Sequence, residues 1–146
     1  MLAWLKKEGV YHKDMNVREI TIHDYERLIT FWKENYFIND MDSKNRFIDF
    51  LEKNPGLSLL GEENGEILGT ALGSFDGRRG YIQKVVVAKT YRKHGLGQQL
   101  VKQVIKKLQT LGVTYIPIAV EKEYAHFYQE CGFKTTTQVP MNMEIK

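Results

Sequence analysis

The sequence has little of what marks exported, disulfide-bonded or membrane-spanning proteins. Its 146 residues include one cysteine, Cys131, so no disulfide can form within the chain. No segment approaches the roughly 20 consecutive apolar residues that cross a bilayer. The N-terminal stretch MLAWLKKEGVYHKD mixes charged residues into its apolar ones, whereas a signal peptide has a continuous apolar region. We therefore expect a cytoplasmic protein that does not bind membranes.

Charge of one sign is also scarce. The 21 lysines and arginines are interspersed with 18 acidic residues, which gives a net charge of +3. Nucleic-acid-binding surfaces normally cluster their basic residues, so we expect no nucleic-acid partner. No Cys/His spacing matches a zinc site, and we expect no metal.

The first half of the chain alternates between strand-like and helix-like segments. A strand over residues 17–22 precedes a helix over 23–35, and Ser43 precedes a second helical pattern that stops at the turn signal of residues 54–56. Asn-Gly and Asp-Gly turns then join three β-rich runs, which predicts an antiparallel meander of residues 57–63, 66–76 and 81–89.

The second half contains a long apolar stripe at helical spacing over residues 96–111, which Gly112 ends. A β-rich run (113–120), a helix (121–131) and a final antiparallel pair (133–139 and 141–146) follow. A strand–helix–strand unit predicts a right-handed parallel crossover between residues 81–89 and 113–120. The expected fold is α/β, with a mixed, mostly antiparallel sheet of six to seven strands and helices on both faces.

Two glycines precede the long helix in the stretch YRKHGLGQQL, residues 91–100. Glycine is a poor helix former, so Gly95 and Gly97 indicate that a ligand approaches the bare backbone there. Free N–H groups and the positive end of the helix dipole favour phosphate at such a position. Arg92, Lys93 and His94 would add charge. The pattern is neither a P-loop, because Gly-Lys-Ser/Thr does not follow, nor a dinucleotide fingerprint, because the preceding strand belongs to a meander.

Arg92, Gly95 and Gly97 fit the Arg/Gln-x-x-Gly-x-Gly/Ala signature of the GNAT N-acetyltransferase superfamily, which the chain resembles. The run HFYQECGF (126–133) is similar to the second motif of that family, and the element order of residues 15–146 matches its fold. The resemblance implies a domain over 15–146, preceded by an N-terminal extension over 1–14. The segment GSFDGRRGYI also resembles the hairpin of small bacterial ribosomal-protein alanine acetyltransferases.

The resemblance implies acetyl-CoA as co-substrate and a primary amine as acceptor, with direct attack in a ternary complex. Cofactor binding would fall to the backbone of Val85 and Val87 and to the loop residues Arg92, Lys93, His94, Gly95, Leu96 and Gly97. Tyr128 would be the acid that protonates the leaving thiolate. Many relatives carry a glutamate in the fourth strand, which YIQKVVVAK lacks, so Glu121 becomes the candidate base, acting through a water.

Other readings of these residues stay open. Tyr128 also fits a core aromatic residue, and Glu121 a solvated acid near a helix start. A non-catalytic acyl-CoA sensor would keep the glycine loop without needing an acid or a base. Asp40 and Asp42 suit a cationic acceptor, but they also suit an acidic loop that caps the second helix. We expect Leu2, Trp4 and Leu5 of the extension to pack as a short helix on their own domain or on a partner subunit, with a disordered tail as the alternative. The sequence leaves a homodimer open.

Overall fold

The computed structural model describes residues 15–146. The extension over 1–14, and the short helix expected in it, lie outside the described residues. Within the described range the chain forms one four-stranded sheet in the order β1-β2-β3-β4, in which every neighbouring pair is antiparallel. The strands are β1 (Asn16–Glu19), β2 (Leu59–Glu63), β3 (Glu66–Phe75) and β4 (Gly80–Val87). The predicted meander is therefore confirmed.

Four α-helices accompany the sheet in residues 15–146. They are α1 (Tyr25–Asn35), α2 (Lys44–Lys53), α3 (Leu96–Thr110) and α4 (Ala125–Glu130). Ser43 caps α2 as expected, since its hydroxyl accepts a hydrogen bond from the Arg46 N–H at 3.5 Å. After α3 the chain turns at Gly112 in the left-handed conformation, with φ of 89°. None of these helices has the length and apolar character of a bilayer span.

The sheet buries both of its faces, and neighbouring strand residues alternate between two cores. Leu60 of β2 belongs to the cluster that α1 and α2 cover, with Trp32 at its centre. Its neighbour Leu59 belongs to the cluster that α3 covers, with Leu100 and Val104. This alternation follows from the two-residue period of a strand. The expectation of helices on both faces is confirmed.

The prediction of six to seven strands is wrong for the described residues, and so is the parallel crossover. Residues 113–120 and 133–146 contain no strand. The first of these segments meets β4 where the Gly80 N–H donates to the Tyr115 carbonyl at 3.0 Å. Proline gives a physical reason, since Pro117 interrupts the run 113–120, Pro140 separates the runs 133–139 and 141–146, and each lacks a backbone N–H for a ladder. The sheet therefore ends at β4.

A β-bulge interrupts β4 halfway along its length. The pairing shifts between Leu72 with Gln83 and Thr70 with Val86, so β4 has one extra residue there. Lys84 takes up the irregularity with φ of 51°. The Thr70 hydroxyl donates to the Lys84 carbonyl at 2.8 Å and accepts from the Trp32 indole N–H at 3.0 Å. The bulge is thus fixed to α1.

Candidate active site

Three elements that carry predicted site residues meet at Gly97. A Cβ atom at this position would lie 3.0 Å from the Phe127 ring and 3.1 Å from the Val87 side chain. Gly97 therefore lets the first turn of α3 pack closely against the end of β4 and against α4, which carries Tyr128. The sequence analysis explained this glycine by ligand approach, and the structure adds a packing reason.

The loop before α3 has an unusual backbone. Gly95, the N-cap of α3, has φ of 80°, and Lys93 has φ of 67°. Left-handed residues beside a helix start occur in the N–H concavities that bind anions. Leu96 is 1% exposed and packs in the cluster of Met15 and Leu68, so only its backbone is available to a ligand. This backbone is compatible with the phosphate site expected from the sequence.

Arg92 does more than supply charge to this loop. Its Nε donates to the Val87 carbonyl at 3.1 Å, and its Nη2 donates to the Asn35 carbonyl at 2.7 Å. The guanidinium therefore ties the glycine loop to the ends of β4 and α1. Asn35 contributes a second link, because its side-chain oxygen accepts from the Lys89 N–H at 3.0 Å. The loop is held in place by α1, which the sequence did not indicate.

The outer edge of β4 carries the two valines expected to bind the pantetheine arm. The Ala88 N–H donates to Leu68 on β3 at 2.8 Å. Because the direction of backbone groups alternates along a strand, those of Val87 point away from β3. Val85 lies within the bulge, and its side chain packs on the core beneath α3. Val87 thus has the orientation expected of a cofactor-binding strand.

Tyr128 lies half-buried on α4, packed edge-on against two phenylalanines. The ring centroids are 4.9 Å from Phe127 and 5.8 Å from Phe133. Burial, reinforced by Cys131, Tyr36 and Tyr124, raises the pKa of Tyr128 to about 12. The phenol is therefore protonated at neutral pH, as an acid requires. Tyr128 combines a packing role with a position among other tyrosines, so the two readings of this residue are not exclusive.

Glu121 lies at the start of the turn that leads into α4. Its carbonyl accepts from the Tyr124 N–H at 2.9 Å, and the residue is exposed. Burial raises the pKa of Tyr36, and Tyr124 and Glu121 raise it further. Tyr36, at the C-terminus of α1, is thus an electrostatic neighbour of both Glu121 and Tyr128. The sequence analysis missed it, because nothing local links residue 36 to residues 121–128.

Two further features of residues 15–146 bear on the chemistry of the site: the thiol of Cys131 and the arrangement of possible metal ligands. Burial raises the pKa of the Cys131 thiol, so this residue behaves as a core side chain. Among residues 15–146 no group of three or more His, Cys, Asp or Glu side chains is arranged to hold a metal ion.

Two surface grooves flank α1. One of about 620 Å³ lies between α1 and the β2–β3 turn, and none of Tyr36, Glu121 or Tyr128 lines it. The other, of about 530 Å³, runs between the α1–α2 connection and the β4 bulge and includes Tyr36, Gln83 and Lys84. Because Tyr36 also neighbours Tyr128, the second groove is the candidate acceptor site.

The sequence model of the acetyltransferase (GNAT) family matches residues 15–133. A curated acetyltransferase of Pectobacterium atrosepticum is 30% identical over 135 residues, which are 90% of this chain and 96% of that protein. The chain belongs to the GNAT acetyltransferase family, and it is an acetyltransferase.

Solved structures share the fold. The PaiA N-acetyltransferase of Thermoplasma acidophilum in complex with coenzyme A superposes with a TM-score of 0.74 at 16% identity, over 86% of this chain and 92% of that one. Glucosamine-6-phosphate N-acetyltransferase of Arabidopsis thaliana gives 0.71 at 20% identity, over 90% and 99%. The GNAT resemblance stated from the sequence is confirmed, and the comparisons lend the non-catalytic alternative no support.

Proposed function

We propose that the protein transfers the acetyl group of acetyl-CoA to a primary amine by direct attack within a ternary complex. The observation that carries this proposal is the meeting of β4, the glycine loop and α4 at Gly97. At Gly97 the first turn of α3 packs against the Val87 side chain and the Phe127 ring, and Phe127 precedes Tyr128 on α4.

Acetyl-CoA fits the residues present. Its pyrophosphate would be held by the N–H groups around Gly95 and Leu96, with charge from Lys93, and its pantetheine arm by the backbone of Val87. Bound there, it supplies the acetyl group as a reactive thioester. The N-terminus of the 15-residue helix α3 favours the pyrophosphate through its dipole. Arg92 serves this site chiefly by fixing the loop.

Two proton transfers remain for the protein. An alkyl amine with a pKa near about 10 must lose its proton before it attacks, and we assign that proton to Glu121 through a water. We assign the proton that the departing thiolate needs to Tyr128, which is protonated at neutral pH. Both residues are electrostatic neighbours of Tyr36, which supports their assignment to one site.

Thiol release in the presence of amines tests this function. The protein is incubated with acetyl-CoA, with and without a panel of primary amines, and free coenzyme A thiol is followed over time. Amine-dependent release supports the enzyme. Binding of acetyl-CoA without release for any amine would instead support the acyl-CoA sensor. The closer likeness to ribosomal-protein alanine acetyltransferases, a homodimer and a cytoplasmic location stay predictions.

A further inference from the structure

The groove beside the β4 bulge is lined by apolar and aromatic side chains together with polar and charged ones. Its apolar and aromatic residues are Tyr36, Phe37, Met41, Phe47, Phe50 and Leu72. Side chains of this kind bind apolar or aromatic bodies, and the polar groups among them fix the ligand's orientation. The charged residues of the groove therefore decide which acceptors it favours.

Asp42, one of the two aspartates expected to attract a cationic acceptor, is not available for that role. The residue is 8% exposed, and its carboxylate lies 3.0 Å from the Lys84 ammonium. The Asn39 N–H also donates to it at 3.0 Å. Asp40 does not line the groove. The negative charge that the sequence suggested is thus neutralised inside the fold.

The ammonium of Lys84 is likewise taken up by contacts within the fold and is not free to bind a ligand. Besides Asp42, its ammonium donates to the Phe37 carbonyl at 2.9 Å. The same ammonium lies 5.0 Å from the ring centroids of Trp32 and Phe37 and 5.5 Å from that of Tyr36. Together these contacts hold the α1–α2 connection against β4. The Lys84–Asp42 pair builds the groove wall and adds no net charge to it.

The second aspartate that lines the groove is also paired. Asp49 lies 2.9 Å from the Lys53 ammonium, four residues along α2. Arg46, in the first turn of the same helix, is an exposed residue that lines the groove and has no acidic partner within residues 15–146. The groove therefore carries one uncompensated charge, and that charge is positive.

The opposite charge in the proposed site is that of Glu121, the assigned base. Glu121 is near enough to Tyr36 to raise its pKa, after burial and Tyr124. An acceptor that reaches from the cleft into the groove would thus meet a carboxylate at one end and a guanidinium at the other. This arrangement complements a molecule with an ammonium at one end and an anion at the other.

Resting on the proposed function, we propose that the acceptor is a primary amine with an apolar or aromatic body that also carries an anionic group, and that Arg46 binds this group. A guanidinium offers paired N–H donors that match the oxygens of a carboxylate or a phosphate. An acceptor with a second ammonium in that place would face Arg46 with like charge and no partner.

Calorimetry with the full chain saturated with coenzyme A tests the proposal. Three amines share one aromatic body and differ in the far group: para-aminomethylbenzoate, para-aminomethylbenzamide and para-xylylenediamine. The benzoate should bind about tenfold or more tightly than the diamine, with the amide between them. Phosphoethanolamine against ethanolamine tells whether a phosphate is also favoured over a neutral group at the far end.

Variants then assign the preference to one residue. Arg46→Gln should abolish the preference for the anionic amine, and Arg46→Glu should reverse it. Arg78→Gln is the matched control, since Arg78 is exposed at the tip of the β3–β4 hairpin and does not line the groove. It should keep the wild-type preference.

The inference is overturned if the wild type binds neither anionic amine more tightly than its neutral partner, or if Arg46→Gln keeps the preference. Turnover separates this outcome from failure of the proposed function. If neutral and anionic amines give equal thiol release, the anion preference is wrong and the proposed acetyltransferase function still holds. An absence of release with every amine counts against the enzyme, while the binding experiment still decides the role of Arg46.

Discussion

Tyr128 packs in the core and is the proposed acid, and these two roles are best tested by a substitution that removes only one of them. Tyr128 packs against Phe127 and Phe133, and Tyr36 and Tyr124 are among the residues that raise the pKa of its phenol. Phenylalanine keeps the ring and removes the hydroxyl, so it separates core packing from proton donation.

The Tyr128→Phe variant should lower kcat by about tenfold or more, because the leaving thiolate loses its proton donor. Coenzyme A affinity and thermal stability should change little, since the ring contacts are retained. Steady-state kinetics and calorimetry measure the two effects. Tyr124→Phe, on the turn before α4, is the matched control. An unchanged kcat for Tyr128→Phe would leave Tyr128 as a core aromatic residue only.

The raised pKa of Tyr128 predicts how the stability of the fold changes at alkaline pH. The pKa of Tyr128 is about 12 in the folded chain against 10.0 for the free side chain. The folded state therefore keeps a proton that the unfolded state loses, and the free energy of unfolding falls as pH rises from about 10 toward 12. Urea unfolding should show a smaller fall for Tyr128→Phe than for the wild type. Equal slopes would mean that the phenol is not desolvated.

At the scale of an element, the glycine loop illustrates how a motif depends on a distant helix. Arg92 bonds to the carbonyls that end α1 and β4, and these bonds hold the loop that begins α3. Lys93, the next residue, is exposed. Both residues are cations beside the predicted pyrophosphate site. Substituting each in turn therefore separates the effect of holding the loop in place from the effect of its positive charge.

Arg92→Gln and Lys93→Gln each remove one positive charge from the loop. Arg92→Gln should weaken coenzyme A binding by about tenfold or more, because it also frees the loop from two carbonyls that would have to find other donors. Lys93→Gln should have the smaller effect, and a larger share of it should vanish at high salt. Calorimetry at low and high salt compares them. Equal losses would make Arg92 a simple counter-charge.

The β4 bulge is the second element whose role depends on a remote partner. Lys84→Met should lower the free energy of unfolding by about 3 kcal/mol, since it leaves the Asp42 carboxylate buried without its cation. Adding Asp42→Asn should recover part of that loss, because the buried charge is then gone. Urea unfolding of the two single variants and the double variant measures the coupling. Strictly additive effects would show that the pair does not interact.

At the scale of the whole molecule, the sequence pattern predicted the elements that form from contacts between residues close together in the chain. The apolar stripe of Leu100, Val104 and Leu108 needs only its own helical period to define a face, and α3 formed as expected. The run of Val139, Met141, Met143 and Ile145 alternates as a strand would, yet these side chains are 78–91% exposed. A strand also needs a partner, and residue alternation does not supply one.

The residues of the candidate site also fall into two groups, those within short sequence motifs and those that depend on distant contacts. Gly95, Gly97 and Tyr128 lie in short motifs, so the sequence identified them. Tyr36 and Lys84 gain their roles from contacts across more than 40 residues, such as the bond from Lys84 to the Phe37 carbonyl. Spacing along the chain carries no signal for these contacts. The pairing of Asp42 with Lys84 was missed for the same reason, and it changes the expected acceptor charge.

The boundary of the domain gives the last prediction. Met15 is 5% exposed and packs with Leu68 and Leu96, while residues 1–14 precede the family match. Deleting residues 1–14 should therefore keep cooperative unfolding and leave coenzyme A affinity within about twofold, because Met15 still fills the core beneath the glycine loop. Met15→Ala in the full chain is the contrast, and should cost about 2 kcal/mol or more of stability. Urea unfolding and calorimetry measure both. A truncated chain that does not fold, or that folds without binding coenzyme A, would place the extension inside the domain.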